Sequence, residues 1–246
     1  MKFANLVTNG WKDYELLDSG ENMKLERFGE VVVARPETQA LWKKAKPELW
    51  GDASAVFQFG DAKGSWDVKK AVPESWEISH ASLKFLARLT GFKHTGVFPE
   101  QEPNWVWVRE NVSQQVLARK QSGRDTPPAA GGVQGDPRTF SQQVPAVNVL
   151  NLFGYTGVAT LAAAHAGAFV THVDSSKQSL DWAHENARLT GLGEDKIRWI
   201  LDDALAFAKR EVRRGAKYDG IILDPPAFGR GAKGEVLAAR SIASVP

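Results

Sequence analysis

The first candidate binding segment is Asn151-Leu-Phe-Gly-Tyr-Thr-Gly157, which lies between an apolar strand pattern and an alanine-rich helix pattern. Gly154 and Gly157 let the backbone turn tightly and approach a ligand closely, and the start of a helix offers free amide donors. The pattern therefore predicts a binding site for a carboxylate or a phosphate. Two glycines between a strand and a helix also occur in turns that bind no ligand, so this segment alone does not establish a binding site.

Asp174 is the second signal, because it ends the next apolar strand pattern twenty positions after Gly154. At this place in an α/β fold, an acidic side chain accepts the two hydroxyls of a ribose. An aspartate at a strand end also commonly caps the following helix, and Ser175 could share that role. The two roles are compatible, so the spacing indicates a ribose-bearing ligand.

Two further acidic segments follow the third and fourth apolar strand patterns. Asp202-Asp203-Ala204 offers a carboxylate where the amino group of an adenine would lie, and Asp224-Pro-Pro-Ala-Phe228 closes the fourth strand. Its two prolines stiffen the chain and remove amide donors, which leaves carbonyls and the Asp224 carboxylate facing the pocket. The full Gly-x-Gly-x-x-Gly fingerprint is absent, since Leu152 stands two positions before Gly154, and this disfavours a nucleotide-dependent oxidoreductase.

These four segments resemble motifs I to IV of the class I S-adenosylmethionine-dependent methyltransferases. They resemble most the bacterial family that modifies large-subunit ribosomal RNA, which includes cytosine carbon-5 and guanine ring-nitrogen enzymes. His94-Thr-Gly-Val-Phe-Pro-Glu-Gln101 is similar to that family's Thr-Gly-x-Phe-x-Asp-Gln-Arg segment. The resemblance runs from about Asp13 to Gly234, and it implies an α/β, Rossmann-like class I methyltransferase domain preceded by a small, mainly antiparallel β domain.

The resemblance also implies a role for each matching residue, with S-adenosylmethionine as the cofactor. The methionine and ribose side would be lined by Asn151, Phe153, Gly154, Thr156 and Gly157. The ribose would bind Asp174 and Ser175, the adenine would bind Asp203 and Ala204, and Gln101 is a further candidate for the cofactor pocket. The catalytic end would be formed by Asp224, Pro225, Pro226 and Phe228, with Asp224 at the methionine amino end or at the target base.

The chain contains no cysteine, and this limits the reaction. Methylation at carbon 5 of cytosine needs a thiol that adds to the ring. Either the target is therefore an already nucleophilic nitrogen or oxygen, or the catalytic residue lies in sequence absent from this chain. The class I fold normally continues with three more strands, whereas only twelve residues follow Gly234. We expect a truncated domain whose C-terminal part is missing, with an inactive paralogue that binds cofactor or RNA without turnover as the alternative.

Upstream of residue 93, the patterns predict a separate β-rich domain over residues 1–92. Its strands are expected at residues 14–17, 24–28, 31–34, 56–59, 65–69, 76–80 and 83–89. Residues 36–44 predict a short helix with Leu41 and Trp42 on its buried side. Five of the nine tryptophans precede residue 80, and we expect them to fill the core or pack between strands rather than to stack on bases.

The remaining segments connect this domain to the chemistry-bearing residues. Residues 93–117 predict a connecting segment with a helix over 102–112, and the Pro- and Gly-rich residues 118–146 predict a flexible linker or insertion. Residues 147–246 alternate strands and helices and predict the incomplete, Rossmann-like domain that binds S-adenosylmethionine. Its strands are expected over 147–152, 169–173, 198–201 and 220–223, and its helices over 156–165, 179–189 and 204–214.

The composition indicates where the protein acts but does not identify its substrate. No apolar run approaches the ~18 residues of a membrane span, and the N-terminus lacks a signal-peptide pattern, so we expect a cytoplasmic protein without a membrane partner. The five histidines lack metal-ligand spacing, so no metal is predicted. We expect methyl transfer to a nucleic-acid base, with ribosomal RNA as the substrate. The net charge of only +2 does not choose the substrate, and the target atom and the oligomeric state stay open.

Overall fold

A computed structural model describes residues 7–8, 10–59, 64–121, 147–226, 228–230 and 236–238. The chain divides into two compact units, Met1–Pro103 and Asn104–Pro246. Most of the linker that the sequence predicts over residues 118–146 lies outside the described residues.

The N-terminal unit is built mainly from antiparallel strands, as the sequence predicts. Its larger sheet has the order β1-β2-β3-β4-β5, formed by Tyr14–Gly20, Met23–Phe28, Val31–Pro36, Ala55–Gln58 and Ser65–Val68. All neighbours in it are antiparallel except β3 and β4. A second antiparallel pair is formed by β6, Trp76–His80, and β7, Leu83–Ala87. Two 3₁₀ helices lie at Pro47–Asp52 and Pro99–Gln101.

The five tryptophans that precede residue 80 contribute to the packing of this unit. Trp11 is buried, Trp50, Trp66 and Trp76 are half-buried, and Trp42 is exposed. All five indole N–H groups donate hydrogen bonds to protein oxygens. Four of the five rings therefore pack within the unit, as the sequence predicts, because a buried indole is favourable when its N–H has a partner.

The helix expected over residues 36–44 is wrong. Pro36 ends strand β3, and residues 37–44 form an irregular segment with a turn. Leu41 and Trp42, expected on a buried side, are 78% and 57% exposed. The carbonyls of Ala40 and Trp42 accept hydrogen bonds from the backbone amides of residues 21–22, in the turn between β1 and β2. In a helix over 36–44 the Ala40 carbonyl would instead accept the amide of Lys44, four residues later, so the pairing with the turn competes with the helix.

Helix α1 spans Glu102–Gln121 and is longer than the helix expected over 102–112. Residues 118–121, expected to begin the flexible linker, are therefore helical. Their sequence, Ala-Arg-Lys-Gln, has high helix propensity, and the next glycine stands only at position 123. Trp105 of this helix is buried.

The C-terminal unit is an open, parallel α/β sheet, which confirms the Rossmann-like fold. Its strands are β8 Asn148–Leu152, β9 Phe169–Asp174, β10 Ile197–Leu201 and β11 Gly220–Leu223, and its helices are α2 Val158–His165, α3 Lys177–Thr190 and α4 Ala204–Arg214. A 3₁₀ turn lies at Glu194–Lys196, and β12 Phe228–Arg230 pairs antiparallel with β13 Val236–Ala238. For all seven strands and α-helices from β8 to β11, both ends lie within two residues of the sequence prediction.

The order of the parallel strands is β10-β9-β8-β11, and the sheet has a buried core on both faces. On one face, Phe207 of α4 packs with Leu150 and Val173. Successive residues of a strand point to opposite faces, so Val149 and Val170 lie on the other face, and both are buried. Burial on two faces explains why β8 and β9 carry apolar residues on both of their faces.

Candidate functional site

The carboxyl ends of the four parallel strands meet at one edge of the sheet, which we call the strand-end site. Leu152 of β8 pairs with Val173 of β9 and with Leu223 of β11, and Leu201 of β10 pairs with Asp174. The order of the strands reverses at β8, which has β9 on one side and β11 on the other. Ligands of open α/β sheets bind outside the carboxyl ends of the strands at such a switch point.

The loop Phe153–Gly157, which we call the glycine loop, follows β8 and has an unusual backbone. Phe153 and Tyr155 have φ angles of 58° and 50°, and Gly157 has a φ of 87°. A left-handed conformation costs a residue other than glycine about 1–3 kcal/mol, and it is concentrated at ligand sites. The loop is therefore held in a shape that a plain turn does not require.

Gly154 has no room for a side chain. A β-carbon at this position would lie 2.5 Å from Nδ1 and 2.8 Å from Nε2 of His172. The Gly154 amide also donates to the carbonyl of Val173 at 3.0 Å. Space therefore requires glycine at position 154, whereas Gly157, the N-cap of α2, is required by its positive φ.

Asp174 joins the glycine loop to the helix that follows β9. Its Oδ2 accepts a hydrogen bond from the backbone amide of Tyr155, and its Oδ1 accepts one from the backbone amide of Ser176, both at 2.8 Å. A carboxylate has about four lone-pair sites, so each oxygen can still accept a ligand hydroxyl. The N-cap of α3 is Ser176, whose hydroxyl accepts the amide of Ser179 at 3.2 Å. The capping role considered for Asp174 and Ser175 therefore belongs to Ser176, and Ser175 is exposed beside it.

Asp203 follows Asp202, whose amide donates to the Asp174 carbonyl at 3.0 Å. The Asp203 carboxylate caps α4 by accepting the amide of the third residue of that helix at 2.8 Å. Asp202 forms an ion pair with Arg210 and accepts the amide of Asp203. Ala204 is buried in the apolar cluster of this sheet face. Acidic side chains therefore follow both β9 and β10, Asp174 at the end of β9 and Asp203 after the end of β10.

Asn151 and Thr156 are 2% and 1% exposed, so they shape the site from beneath. Asn151 Nδ2 donates to Thr160 Oγ1 at 2.8 Å, and the Thr156 carbonyl accepts a hydrogen bond from Asn186 Nδ2 at 2.8 Å. Phe153 packs against the apolar cluster formed with α4. Direct contact of these three residues with a ligand stays a prediction.

Asp224 follows β11 at the same edge and is exposed. Pro225 is half-buried, Pro226 is exposed, and the backbone of Phe228 opens β12. Gln101 ends a 3₁₀ helix of the N-terminal unit. The catalytic role of the first four residues and the cofactor role of Gln101 stay predictions.

His172 belongs to none of the sequence motifs, yet it lies directly under the glycine loop. It is fully buried, and its Nδ1 is 2.9 Å from the Thr160 hydroxyl. Burial, with a smaller contribution from the charge of His184, lowers the pKa of His172 to about 3, so the ring is neutral near pH 7. The signal in the sequence is a histidine next to a threonine in an otherwise apolar strand, Phe-Val-Thr-His-Val.

In the described part of the chain, no group of three or more histidine, aspartate or glutamate side chains is arranged to hold a metal ion. No helix within the described ranges is long and apolar enough to span a membrane. The strand-end site offers the N-terminus of helix α2 and the carboxylates of Asp174, Asp203 and Asp224.

Residues 132–243 match the protein family described as S-adenosylmethionine-dependent methyltransferase. Ribosomal RNA large subunit methyltransferase K/L of Shewanella pealeana is 43% identical over 176 residues, which are 70% of this chain and 20% of that protein. Ribosomal RNA large subunit methyltransferase I of Aeromonas salmonicida is 34% identical over 152 residues, which are 60% of this chain and 37% of that protein.

The crystal structure of the SAM dependent methyltransferase from Agrobacterium tumefaciens matches this fold with a TM-score of 0.76. The two sequences are 45% identical, and the match covers 93% of this chain and 65% of that one. The chain therefore spans less than two thirds of each of these three proteins, and only 20% and 37% of the two curated relatives.

Proposed function

The chain belongs to the S-adenosylmethionine-dependent methyltransferase family, and we propose that it transfers the methyl group of this cofactor to a base of ribosomal RNA. The names of the two curated relatives support ribosomal RNA as the substrate, which would place the activity in the cytoplasm. The observation that carries the proposal is the Asp174 carboxylate, fixed at the end of β9 against the glycine loop.

Asp174 is well placed to bind a ribose. Its carboxylate is oriented by two backbone amides, those of Tyr155 and Ser176. A carboxylate fixed at the end of the second strand accepts the two neighbouring hydroxyls of a ribose. Because the backbone orients this group before a ligand arrives, binding costs less conformational entropy.

The other cofactor contacts follow from the order of the strand ends. The glycine loop and the start of α2 would face the methionine carboxylate, because a helix N-terminus carries free amide donors and partial positive charge. Asp203 and Ala204, at the end of β10, would lie beside the adenine. Ser175 would stand next to the ribose, since it is exposed beside Asp174.

Asp224, Pro225, Pro226 and Phe228 would place the target base. Bound S-adenosylmethionine supplies a methyl group on a positively charged sulfur, which a nucleophilic atom takes by direct displacement. The protein's main contribution would be to hold the base in line for that displacement. The Asp224 carboxylate would accept a hydrogen bond from an amino group of the base or of the methionine. None of the 246 residues is cysteine, so the reaction open to these side chains is transfer to an already nucleophilic atom, such as a ring nitrogen.

Calorimetry with S-adenosylmethionine tests the cofactor site. We expect a dissociation constant on the order of micromolar for the unmodified chain and no detectable heat of binding for Asp174→Ala. Asp181→Ala is the matched control, because Asp181 is an exposed acid of α3 that pairs with Lys177 and should not affect binding. No heat of binding for the unmodified chain would contradict the proposal.

Turnover is tested with S-adenosylmethionine labelled in its methyl group and ribosomal RNA from a strain that lacks the gene. We expect the unmodified chain to label this RNA and Asp174→Ala to leave it unlabelled. Mass spectrometry of the digested nucleosides then identifies the methylated atom. Cofactor binding without label in RNA would reject the substrate and leave the cofactor site standing.

A further inference from the structure

Three buried polar side chains form a connected group beneath the glycine loop. Asn151 of β8, Thr160 of α2 and His172 of β9 are 2%, 0% and 0% exposed. Asn151 Nδ2 donates to Thr160 Oγ1 at 2.8 Å, and this oxygen lies 2.9 Å from His172 Nδ1. Buried polar groups are costly unless they are hydrogen-bonded, so this chain of contacts holds three elements in register.

Thr160 joins Asn151 to the imidazole. Its Oγ1 accepts a hydrogen bond from Asn151, and the same hydroxyl lies within hydrogen-bond distance of His172 Nδ1, to which it donates or from which it accepts according to the tautomer of the ring. The other ring nitrogen, Nε2, has no hydrogen-bond partner among the described residues. The orientation of the ring is thus set from one side, by Thr160.

The His172 ring fills the space that a side chain at Gly154 would need. A β-carbon on Gly154 would lie 2.8 Å from Nε2. The ring also packs on Trp199, with ring centroids 4.9 Å apart. The ring lies in a closely packed place, so a change in its orientation must displace the glycine loop or strand β10.

Strand β9 therefore holds the glycine loop at three consecutive residues. His172 contacts it through the ring, the Val173 carbonyl accepts the Gly154 amide, and the Asp174 carboxylate accepts the Tyr155 amide. The last two contacts involve the loop backbone that is strained at Tyr155. A strained backbone persists only when its surroundings fix it.

We propose that His172, oriented by Thr160 and Asn151, is a positioning residue that holds the glycine loop in its cofactor-binding shape. This inference rests on the proposed function, since the loop is the part of the strand-end site that would receive the methionine end of the cofactor. His172 itself acts through the loop. Its loss therefore weakens binding of the cofactor and leaves the displacement step unchanged.

The pair Thr160→Val and Thr160→Ser tests the orientation of the ring. Valine keeps the shape and removes the hydroxyl, which leaves Asn151 Nδ2 and His172 Nδ1 buried without a partner, whereas serine keeps the hydroxyl. Calorimetry with S-adenosylhomocysteine should show a dissociation constant raised about tenfold for Thr160→Val and unchanged for Thr160→Ser. Equal binding by the two variants would overturn the inference.

His172→Phe tests the ring itself, and Val170→Ala is its matched control. Val170 lies on the same face of β9, is fully buried, and is two residues farther from the site. Both variants should lower the midpoint of thermal unfolding, but only His172→Phe should raise the dissociation constant, again about tenfold. In turnover assays the KM for S-adenosylmethionine should rise while kcat stays unchanged. If Val170→Ala weakens binding as much as His172→Phe does, general destabilisation explains the effect and the inference fails.

The double variant Thr160→Val/His172→Phe adds a thermodynamic cycle. If Thr160 acts through His172, the two single effects on binding should not add, because His172→Phe already removes the nitrogen that Thr160 orients. Fully additive effects would reject this link. These outcomes are separate from failure of the proposed function, which would appear as absence of binding by the unmodified chain.

Discussion

Arg35 donates two hydrogen bonds to the carboxylate of Glu26 in the core of the N-terminal unit, from Nε at 2.5 Å and from Nη2 at 3.0 Å. The two residues are 3% and 0% exposed. The Tyr14 hydroxyl also donates to Glu26, and Arg35 Nη1 donates to the carbonyl of Lys93. Removing one partner of such a pair leaves a buried charge without compensation, which costs more than the intact pair contributes.

Glu26→Gln should therefore destabilise the N-terminal unit by about 3–5 kcal/mol, since Arg35 would remain buried and charged without its carboxylate. Urea denaturation followed by tryptophan fluorescence measures this loss. Glu15→Gln is the control, because it removes the exposed partner of Arg27 and should cost at most about 1 kcal/mol. Equal losses in the two variants would show that the Glu26 pair is no more important than a surface pair.

Gly154→Ala should cost about 1–3 kcal/mol of stability, because its methyl group would overlap the ring of His172. The displaced loop should also lose its affinity for S-adenosylhomocysteine. Gly220→Ala is the control in the same unit, since a β-carbon there meets only Val149 Cγ2, at 3.9 Å. Unchanged binding by Gly154→Ala in calorimetry would show that the loop tolerates this displacement.

The order of elements in the C-terminal unit is predictable because its signals are local. The apolar run of β8, the glycines that follow it and the alanine-rich α2 lie next to one another in sequence. The carboxyl ends of parallel strands lie at one edge of a sheet, so the placement of Asp174, Asp203 and Asp224 at that edge follows from the order of the elements along the chain.

Contacts between distant residues are what the sequence does not reveal. Residues 36–44 have a helical pattern, but their carbonyls pair with the turn at residues 21–22, and nothing local announces that pairing. In the same way, the hydrogen bond between Thr160 and His172 depends on how α2 lies on β9. Gly154 looks like a flexible turn residue in the sequence, whereas the structure shows that the ring of His172 excludes any side chain there.

The buried, neutral His172 predicts that the C-terminal unit loses stability in mildly acidic solution. Burial, and to a smaller extent the charge of His184, lowers its pKa from 6.5 to about 3. Below pH 6.5 the unfolded chain binds a proton that the folded chain does not bind until about pH 3. The free energy of unfolding therefore decreases as the pH is lowered from 6.5 to about 3. Lowering the pH from about 6.5 to about 5 should cost about 2 kcal/mol from this group.

His172→Phe isolates this contribution, because phenylalanine binds no proton in either state. In urea denaturation the stability advantage of the unmodified chain over His172→Phe should shrink by about 2 kcal/mol between those two pH values. A difference that stays constant with pH would mean that His172 titrates alike in the folded and unfolded chains.

The Asp203 carboxylate caps α4. Its proposed second role is to accept a hydrogen bond from the adenine amino group. Asparagine caps a helix about as well as aspartate does, whereas alanine loses about 1 kcal/mol. Asp203→Asn should therefore keep the stability that Asp203→Ala loses in urea denaturation. The side-chain amide that Asp203→Asn introduces would point an N–H donor at the adenine amino group, which is itself a donor. The affinity of Asp203→Asn for S-adenosylhomocysteine should therefore fall about tenfold in calorimetry. Unchanged affinity with unchanged stability would leave the cap as the only role of Asp203 and would place the adenine against another group of the strand-end site.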